Sequence, residues 1–403
     1  MTLSSTPKVE DIQSSASMGG LIVAENKREE DDPSSESQYQ KGVKHLCENG
    51  ISIVPNKFVL PVPERPIILR QQNTTAASAT ADGSYIQLPI IDFAQLQGPE
   101  RPLVLKTLAK ACEEYGIFQV TNHGIPINVV SSMIDVSKQF FELPYDERAN
   151  YMTSDLSAPV RYGTSFNQAK DGVFCWRDFL KLVCSNPLSD ILPFWPSSPE
   201  DLRKSVFNYS TQTKSLFDLL MKAILESLGL VESKKDESED HVLQQFQDGS
   251  QLMFINYYPS CPEPELTLGM PPHSDYGSLT LLLQDEVEGL QIQHQEEWFT
   301  VKPLPNSFVV NLGDHLEIFS NGRYKSVLHR VLVNSMRSRI SVASLHSLPF
   351  ETVVRPAAKL INESNPRRYK DTDFASFLKY LSSCDTKKKN FLESRKFNSI
   401  ERN

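Results

Sequence analysis

QLMFINYYPSCPEPELTLGMPPHSDYGSLTLLLQ, residues Gln251 to Gln284, is where the chain changes texture. Its ends, QLMFINYY and LTLLLQ, are short strand-like runs, and the Pro- and Gly-rich stretch between them breaks any regular element. Downstream come LQIQH, WFTV, SFVVNL, HLEIF, VLHRVLV and ISVASL, all read as strand-like and divided by Gly, Pro, Asn or Asp. Many short strands at close, regular spacing predict a barrel or jelly roll. Upstream the apolar spacing is helical instead. Leu103 to Tyr115 reads as a helix ended by Gly116, Pro126 opens a second reaching about Leu143, and a long third runs from about Pro199 to Gly229. The expected class is therefore α+β, a jelly-roll core flanked by helices.

Further out, Leu88 to Phe93 (LPIIDF) marks where the main ordered structure is expected to begin. Before it, residues 1–40 are rich in Ser, Glu and Asp, with the run ENKREEDD at Glu25 to Asp32, and read as a flexible extension. A short helix is expected around Gly42 to Asn49, then an extended track imposed by Pro55, Pro61, Pro63 and Pro66, with 41–87 as an N-terminal segment and linker. Residues 88–230 read as a helical region, the charged ESKKDESED after it as an exposed connection, 250–350 as the β domain and 351–403 as a C-terminal helical segment.

The composition narrows the function classes. With 403 residues, 39% hydrophobic and 23% charged, the chain can bury a sizeable core. A formal net charge of -9 argues against nucleic acid as a partner, which calls for a basic face. The six cysteines are scattered, with no C-x-x-C pair, as expected of free thiols in a reducing compartment. No apolar stretch follows the polar opening MTLSSTPKVEDIQSS, and no run is long enough to span a bilayer. A cytoplasmic location, no membrane partner and a small-molecule substrate are expected.

The chemistry-bearing residues gather in the β region. His273 and Asp275 lie two apart, so on an extended segment they project from one face. His329 lies 56 positions beyond His273, in a second strand-like run that a β core must bring back to the first pair. Two imidazoles and one carboxylate form the facial triad suited to non-haem iron(II). Zinc could use the same set, but no H-E-x-x-H motif or Cys-rich cage accompanies it. Arg339 and Ser341 are again two apart on one strand, where a guanidinium fork and a hydroxyl can grip a carboxylate. A structural salt bridge to one of the many acidic residues is the plainer reading of Arg339 taken alone.

The segments INYYPSCPEPELTLGMPPHSDYGSLTLLLQ, GLQI, VVNLGDHLEIFSNGRYKSVLHRV and RISVASL resemble plant 2-oxoglutarate- and iron(II)-dependent dioxygenases. IIDF, CEEYGIFQVTNHGIP and the WRDF block look like that family's N-terminal half. The resemblance implies a double-stranded β-helix, a distorted jelly roll wrapped by helices. By position it implies that His273, Asp275 and His329 hold iron(II), that Arg339 and Ser341 bind the distal carboxylate of 2-oxoglutarate, and that Tyr258, with Asn256 beside it, contacts the same co-substrate. It further implies oxygen as the other co-substrate, ascorbate as a supportive reductant, and release of succinate and carbon dioxide.

Within that family, RYGTSFNQ followed by WRDFLKL resembles the group holding flavanone 3-dioxygenase-like proteins and salicylate-hydroxylating oxygenases of the downy-mildew-resistance type. This implies an aromatic or phenolic plant metabolite as substrate, hydroxylated or desaturated, with Tyr162, Phe166, Phe254 and Leu345 as candidate pocket residues. Two departures bear on it: Val342 follows the R-x-S where many flavonoid-type members have Trp, and Leu345 and Ser347 stand where several have an aromatic residue and a Glu. The alternatives are oxidation of a hormone such as salicylate or a gibberellin-like acid, and a catalytically silent binder that keeps the β-helix as a scaffold.

Overall fold

The computed structural model of the chain describes residues 39–66, 85–165, 171–184, 187–231, 237–383 and 391–397. Residues 1–38 of the expected N-terminal extension, residues 67–84 of the expected linker and candidate Phe166 lie outside the described residues. Among the described residues twelve strands are formed: β1 Ile90–Asp92, β2 Ile117–Thr121, β3 Val160–Thr164, β4 Asp178–Val183, β5 Ser250–Tyr258, β6 Met270–His273, β7 Leu279–Gln284, β8 Leu290–His294, β9 Glu297–Thr300, β10 Phe308–Leu312, β11 His329–Val331 and β12 Arg339–Ser347. They make an eight-stranded sheet ordered β1-β2-β10-β7-β12-β5-β4-β3 and a four-stranded sheet ordered β6-β11-β8-β9. Apart from the parallel β1/β2 pair, every pairing is antiparallel. This is the jelly-roll core with flanking helices.

Strand parity sorts the residues of the large sheet. In β7, Leu279, Leu281 and Leu283 join the cluster that includes Leu216, Leu220 and Ile224 of the long helix Leu202–Ser227. On the other face, Leu282 of β7 and Val309 of β10 pack with Leu290 and Ile292 of β8, filling the space between the sheets. A fully buried Leu or Ile contributes roughly 1.5–3 kcal/mol, so this two-sided burial dominates the stability of the sheet. It also leaves a third set of inward residues free of hydrophobic duty, and these form the site.

Several expectations need correction. Residues 88–230 carry more than helices and the expected β-type run Ile117 to Thr121, because β1, β3 and β4 also come from them and complete both ends of the large sheet. HLEIF is helical, Asp314–Phe319, because Gly313 ends β10 and its carbonyl accepts from the amides of Leu316 and Glu317. So short an apolar run cannot be assigned from periodicity alone. The last four residues of the charged connection, 237–240, are the start of a helix, Glu237–Gln247. Packed structure also begins before Leu88: Val43, Val54 and Phe58 are buried against Phe174 and Trp176. Among the described residues no helix is long and apolar enough to cross a membrane, and Cys47, Cys112, Cys175, Cys184 and Cys261 are free thiols.

The anchor of that early segment is Asp178, fully buried on β4. Its carboxylate accepts from the Val43 amide at 2.8 Å, the Lys44 amide at 2.9 Å and the Tyr162 hydroxyl at 3.0 Å. Gly42 sits so close that a Cβ there would meet Asp178 Oδ2 at 2.8 Å. Asp178→Ala is expected to lower stability by about 2–4 kcal/mol, because two amides and a hydroxyl lose their acceptor in a dry site. Urea unfolding followed by tryptophan fluorescence checks this; an unchanged midpoint and slope would show that the anchor contributes nothing.

Candidate active site

β6 ends on His273 and β11 begins on His329, and the two strands pair with these histidines directly opposite each other. One antiparallel pairing thus closes a long sequence separation and brings the ring centroids to 4.1 Å. Asp275 follows two residues after His273, with Oδ1 lying 3.9 Å from His273 Nε2 and 3.7 Å from His329 Nε2. These separations are too long for hydrogen bonds. They border a gap in which the candidate ligand atoms all lie within 4.8 Å of one another. Ligand bonds of about 2.1 Å place neighbouring octahedral ligands about 3 Å apart, so a small closure admits an ion. Among the described residues this is the one His, Cys, Asp or Glu group with that geometry.

The surroundings fix the ligand atoms. His273 Nδ1 lies 2.8 Å from the Pro271 carbonyl and His329 Nδ1 lies 3.2 Å from the Val327 carbonyl. A carbonyl only accepts, so both rings carry their proton on Nδ1 and turn the Nε2 lone pair to the gap. Asn311 of β10 donates to Asp275 Oδ2 at 3.2 Å, and the Asp314 amide donates to the Asp275 carbonyl at 2.8 Å. Oδ1 is left facing the histidines. The turn behind Asp275 requires glycine at 313, since a Cβ there would lie 2.1 Å from the Gly277 carbonyl oxygen. The donor set fits non-haem iron(II). Sequence reasoning passed over Asn311, whose signal was a lone inward-facing amide in the otherwise apolar strand VVNL.

The four residues expected to meet 2-oxoglutarate form two cross-strand pairs. Arg339 faces Tyr258 and Ser341 faces Asn256 across β12 and β5. Arg339 is buried, with Nη2 donating to Gln284 Oε1 at 2.9 Å, Nε to the Val287 carbonyl at 3.2 Å and Nη1 to Ser341 Oγ at 3.4 Å. Its guanidinium carbon lies 5.2 Å from the Tyr258 ring centroid. Among the described residues, no carboxylate lies within ion-pair distance of Arg339. The nearby Asp285 instead accepts from the Ile340 and Val287 amides at 2.7 and 3.1 Å. The structural salt bridge considered from sequence is therefore not formed here. A buried guanidinium held by neutral acceptors fits an anionic ligand.

Triad and guanidinium open into one cavity of about 510 Å³, the size of a small-molecule site. Phe254 and Leu345 line it, together with Tyr276, Leu348, Phe350 and Phe377. Tyr276 and Phe377 stack at 3.8 Å, so the C-terminal helix Phe374–Ser383 provides part of the wall, which the sequence reading did not anticipate. Tyr162 requires a correction, because it is not among the residues lining the cavity. Its hydroxyl donates to Asp178 and accepts from Arg148 Nη1 at 3.1 Å, and its ring sits beside Phe140 and Phe141. Pleat parity is the reason: the neighbouring β3 residue Arg161 faces the cavity, so Tyr162 faces away. Arg177, Phe179 and Lys181, on or just before β4, also line the cavity and were missed.

The model of the 2OG-Fe(II) oxygenase superfamily matches residues 249–347, and that described as non-haem dioxygenase in morphine synthesis N-terminal matches residues 88–200. Protein DMR6-LIKE OXYGENASE 1 of Arabidopsis thaliana is 40% identical over 77% of this chain and 84% of its own length. Flavanone 3-dioxygenase 2 of Oryza sativa subsp. japonica is 37% identical over 84% of this chain and 93% of its own. A solved structure of JOX2 in complex with 2OG, Fe and JA superposes with a TM-score of 0.75 at 29% identity, covering 89% of this chain and 98% of that one.

Proposed function

This chain belongs to the 2OG-Fe(II) oxygenase superfamily, and from that membership we propose that it hydroxylates or desaturates a small, largely apolar plant metabolite with an aromatic or phenolic body. The enzyme is a dioxygenase dependent on iron(II) and 2-oxoglutarate. The observation that carries the substrate reading is the cavity itself. The triad and the Arg339 fork open into the same space, whose remaining wall is largely aromatic and aliphatic.

The roles divide among the chain's own residues. His273, Asp275 and His329 would hold the ion, with Nε2, Oδ1 and Nε2 presented by the carbonyls of Pro271 and Val327 and by the Asn311 amide. Arg339 and Ser341 would grip the distal carboxylate of 2-oxoglutarate, and Tyr258 and Asn256 would line its flank on the adjoining strand. When bound, iron(II) and 2-oxoglutarate supply the oxidising power, with succinate and carbon dioxide as the products of the co-substrate. Tyr276, Phe377 and Leu345 exclude water and hold the substrate body so that one carbon–hydrogen bond faces the metal site. Flavanone oxidation is supported by the flavanone 3-dioxygenase relative, and a small ligand held beside 2OG and Fe by the likeness to the JOX2 complex with JA.

The test is succinate release from 2-oxoglutarate with iron(II) and ascorbate, across a panel of flavanones and small aromatic acids. Stimulated succinate formation is expected, with a product that gains one oxygen or loses two hydrogens. If iron and 2-oxoglutarate bind and no panel member stimulates turnover, the silent binder replaces the enzyme reading.

A further inference from the structure

The wall of the cavity farthest along the large sheet from Arg339 is cationic. Arg177 and Lys181 flank Phe179 along β4, and Arg161 lies on β3 directly opposite Lys181. All three cations line the cavity and are at least nine-tenths buried. The strand register fixes where they stand: Lys181 faces Phe254, which faces Ala343 of β12, in a row beside the one that joins Phe179, Asn256 and Ser341. Strands are about 4.8 Å apart, so this wall lies roughly 10 Å across the sheet from the Arg339 and Ser341 strand. Arg339 and this wall therefore stand on strands two apart in the sheet.

None of the three cations makes an ion pair among the described residues. Arg161 Nε donates to the Thr153 carbonyl at 3.0 Å and Lys181 Nζ to the Leu156 carbonyl at 2.7 Å. Arg177 meets the Met270 sulfur and lies over the Phe179 ring at 4.7 Å, and its Nε has no hydrogen-bond partner among the described residues. Asp171 and Asp178 act on Arg177 through space alone, while Asp178 spends its oxygens on Val43, Lys44 and Tyr162. Asp155, which acts on Lys181, is exposed and accepts from Ser157 instead. The cations also disfavour one another. Burial and then the Arg161 charge bring the Lys181 ammonium down to about 8, and burial followed by Arg177 lowers Arg161.

The charges around the metal do not relieve this wall. Those of iron(II) and Arg339 are matched by Asp275 and by the two carboxylates of 2-oxoglutarate. The other carboxyl lining the cavity, Asp314, sits behind Asp275, whose carbonyl accepts from its amide at 2.8 Å, and makes no ion pair with any of the three cations among the described residues. Buried like charges without a counterion are unfavourable, and their steady companion is a ligand that supplies the missing charge.

We propose that Arg161, Arg177 and Lys181 form a carboxylate-recognition site for the primary substrate, which is therefore an organic acid with an aromatic or aliphatic body rather than a neutral flavanone. This rests on the reading of the cavity as the substrate site of a dioxygenase. The carboxylate sits against β4, Phe179 and Phe254 flank the body, and the far end of the substrate faces His273 and His329.

The experiment measures binding without turnover, on the full chain with manganese(II) and 2-oxoglutarate in the absence of oxygen. The probes are salicylate, cinnamate and 2-naphthylacetate, each paired with its methyl ester, and the neutral flavanone naringenin. At least one acid is expected to bind roughly tenfold or more tightly than its ester, the value of a charge-assisted contact. Lys181→Met, near in shape and uncharged, should reduce that preference by about tenfold, and Arg161→Met independently so if either variant folds poorly. Equal binding of acids and esters, tighter binding of naringenin than of every acid, or failure of all the acids to bind overturns the proposal. Turnover distinguishes the two readings: neutral substrates oxidised with succinate release would leave the dioxygenase assignment standing and remove the acid site.

Discussion

His273→Ala is expected to abolish tight iron(II) binding and to lower 2-oxoglutarate turnover by more than a hundredfold. Loss of a mere outer hydrogen-bond partner of a ligand costs about 10–100-fold, and here a ligand itself is removed. The two atoms left, His329 Nε2 and Asp275 Oδ1, stand 3.7 Å apart and cannot enclose an ion by themselves. The fold should survive, because β6 keeps its backbone pairing with β11 and the lost ring lies in a cavity rather than in a packed cluster. Metal content of the purified variant by mass spectrometry and its decarboxylation of 2-oxoglutarate together check this. Full metal occupancy with retained turnover would remove His273 from the site.

Arg339→Lys is expected to raise the 2-oxoglutarate concentration for half-saturation roughly tenfold or more. The guanidinium reaches Gln284, Val287 and Ser341 with three different nitrogens, which sets its plane against the Tyr258 ring. An ammonium keeps the charge but has neither the planar fork nor the reach to all three acceptors. Gly289 adds a steric term, since even a Cβ at that position would lie 3.0 Å from Arg339 Cδ. The change should fall on the co-substrate, with metal content unchanged. Titration of the protein with 2-oxoglutarate under anaerobic iron(II), read by its visible charge-transfer band, measures it directly. An unaltered titration curve would make Arg339 a structural residue.

Much of the site could be read from residue type and spacing. His273 and Asp275 declared themselves by lying two apart, and Arg339 and Ser341 did the same on a strand where parity puts alternate residues on one face. The strand pattern from Gln251 onward was equally legible, because period-two alternation and Gly and Pro breaks are local properties. HLEIF failed for the same local reason, being too short to carry a period. Tyr162 failed through parity: its strand was not recognised, so nothing told which of Arg161 and Tyr162 would face inward.

The sequence by itself determined which groups this protein has for binding a metal and a dicarboxylate, and that it would fold around a β core. Only the tertiary structure decided that His329 lies opposite His273, that Asn311 turns Asp275 and that Arg339 makes no ion pair among the described residues. It alone decided that Arg161, Arg177 and Lys181 gather on one wall. The physical reason is that charge and hydrogen-bonding capacity belong to a residue, whereas pairing register and the absence of a counterion are properties of distant segments brought together.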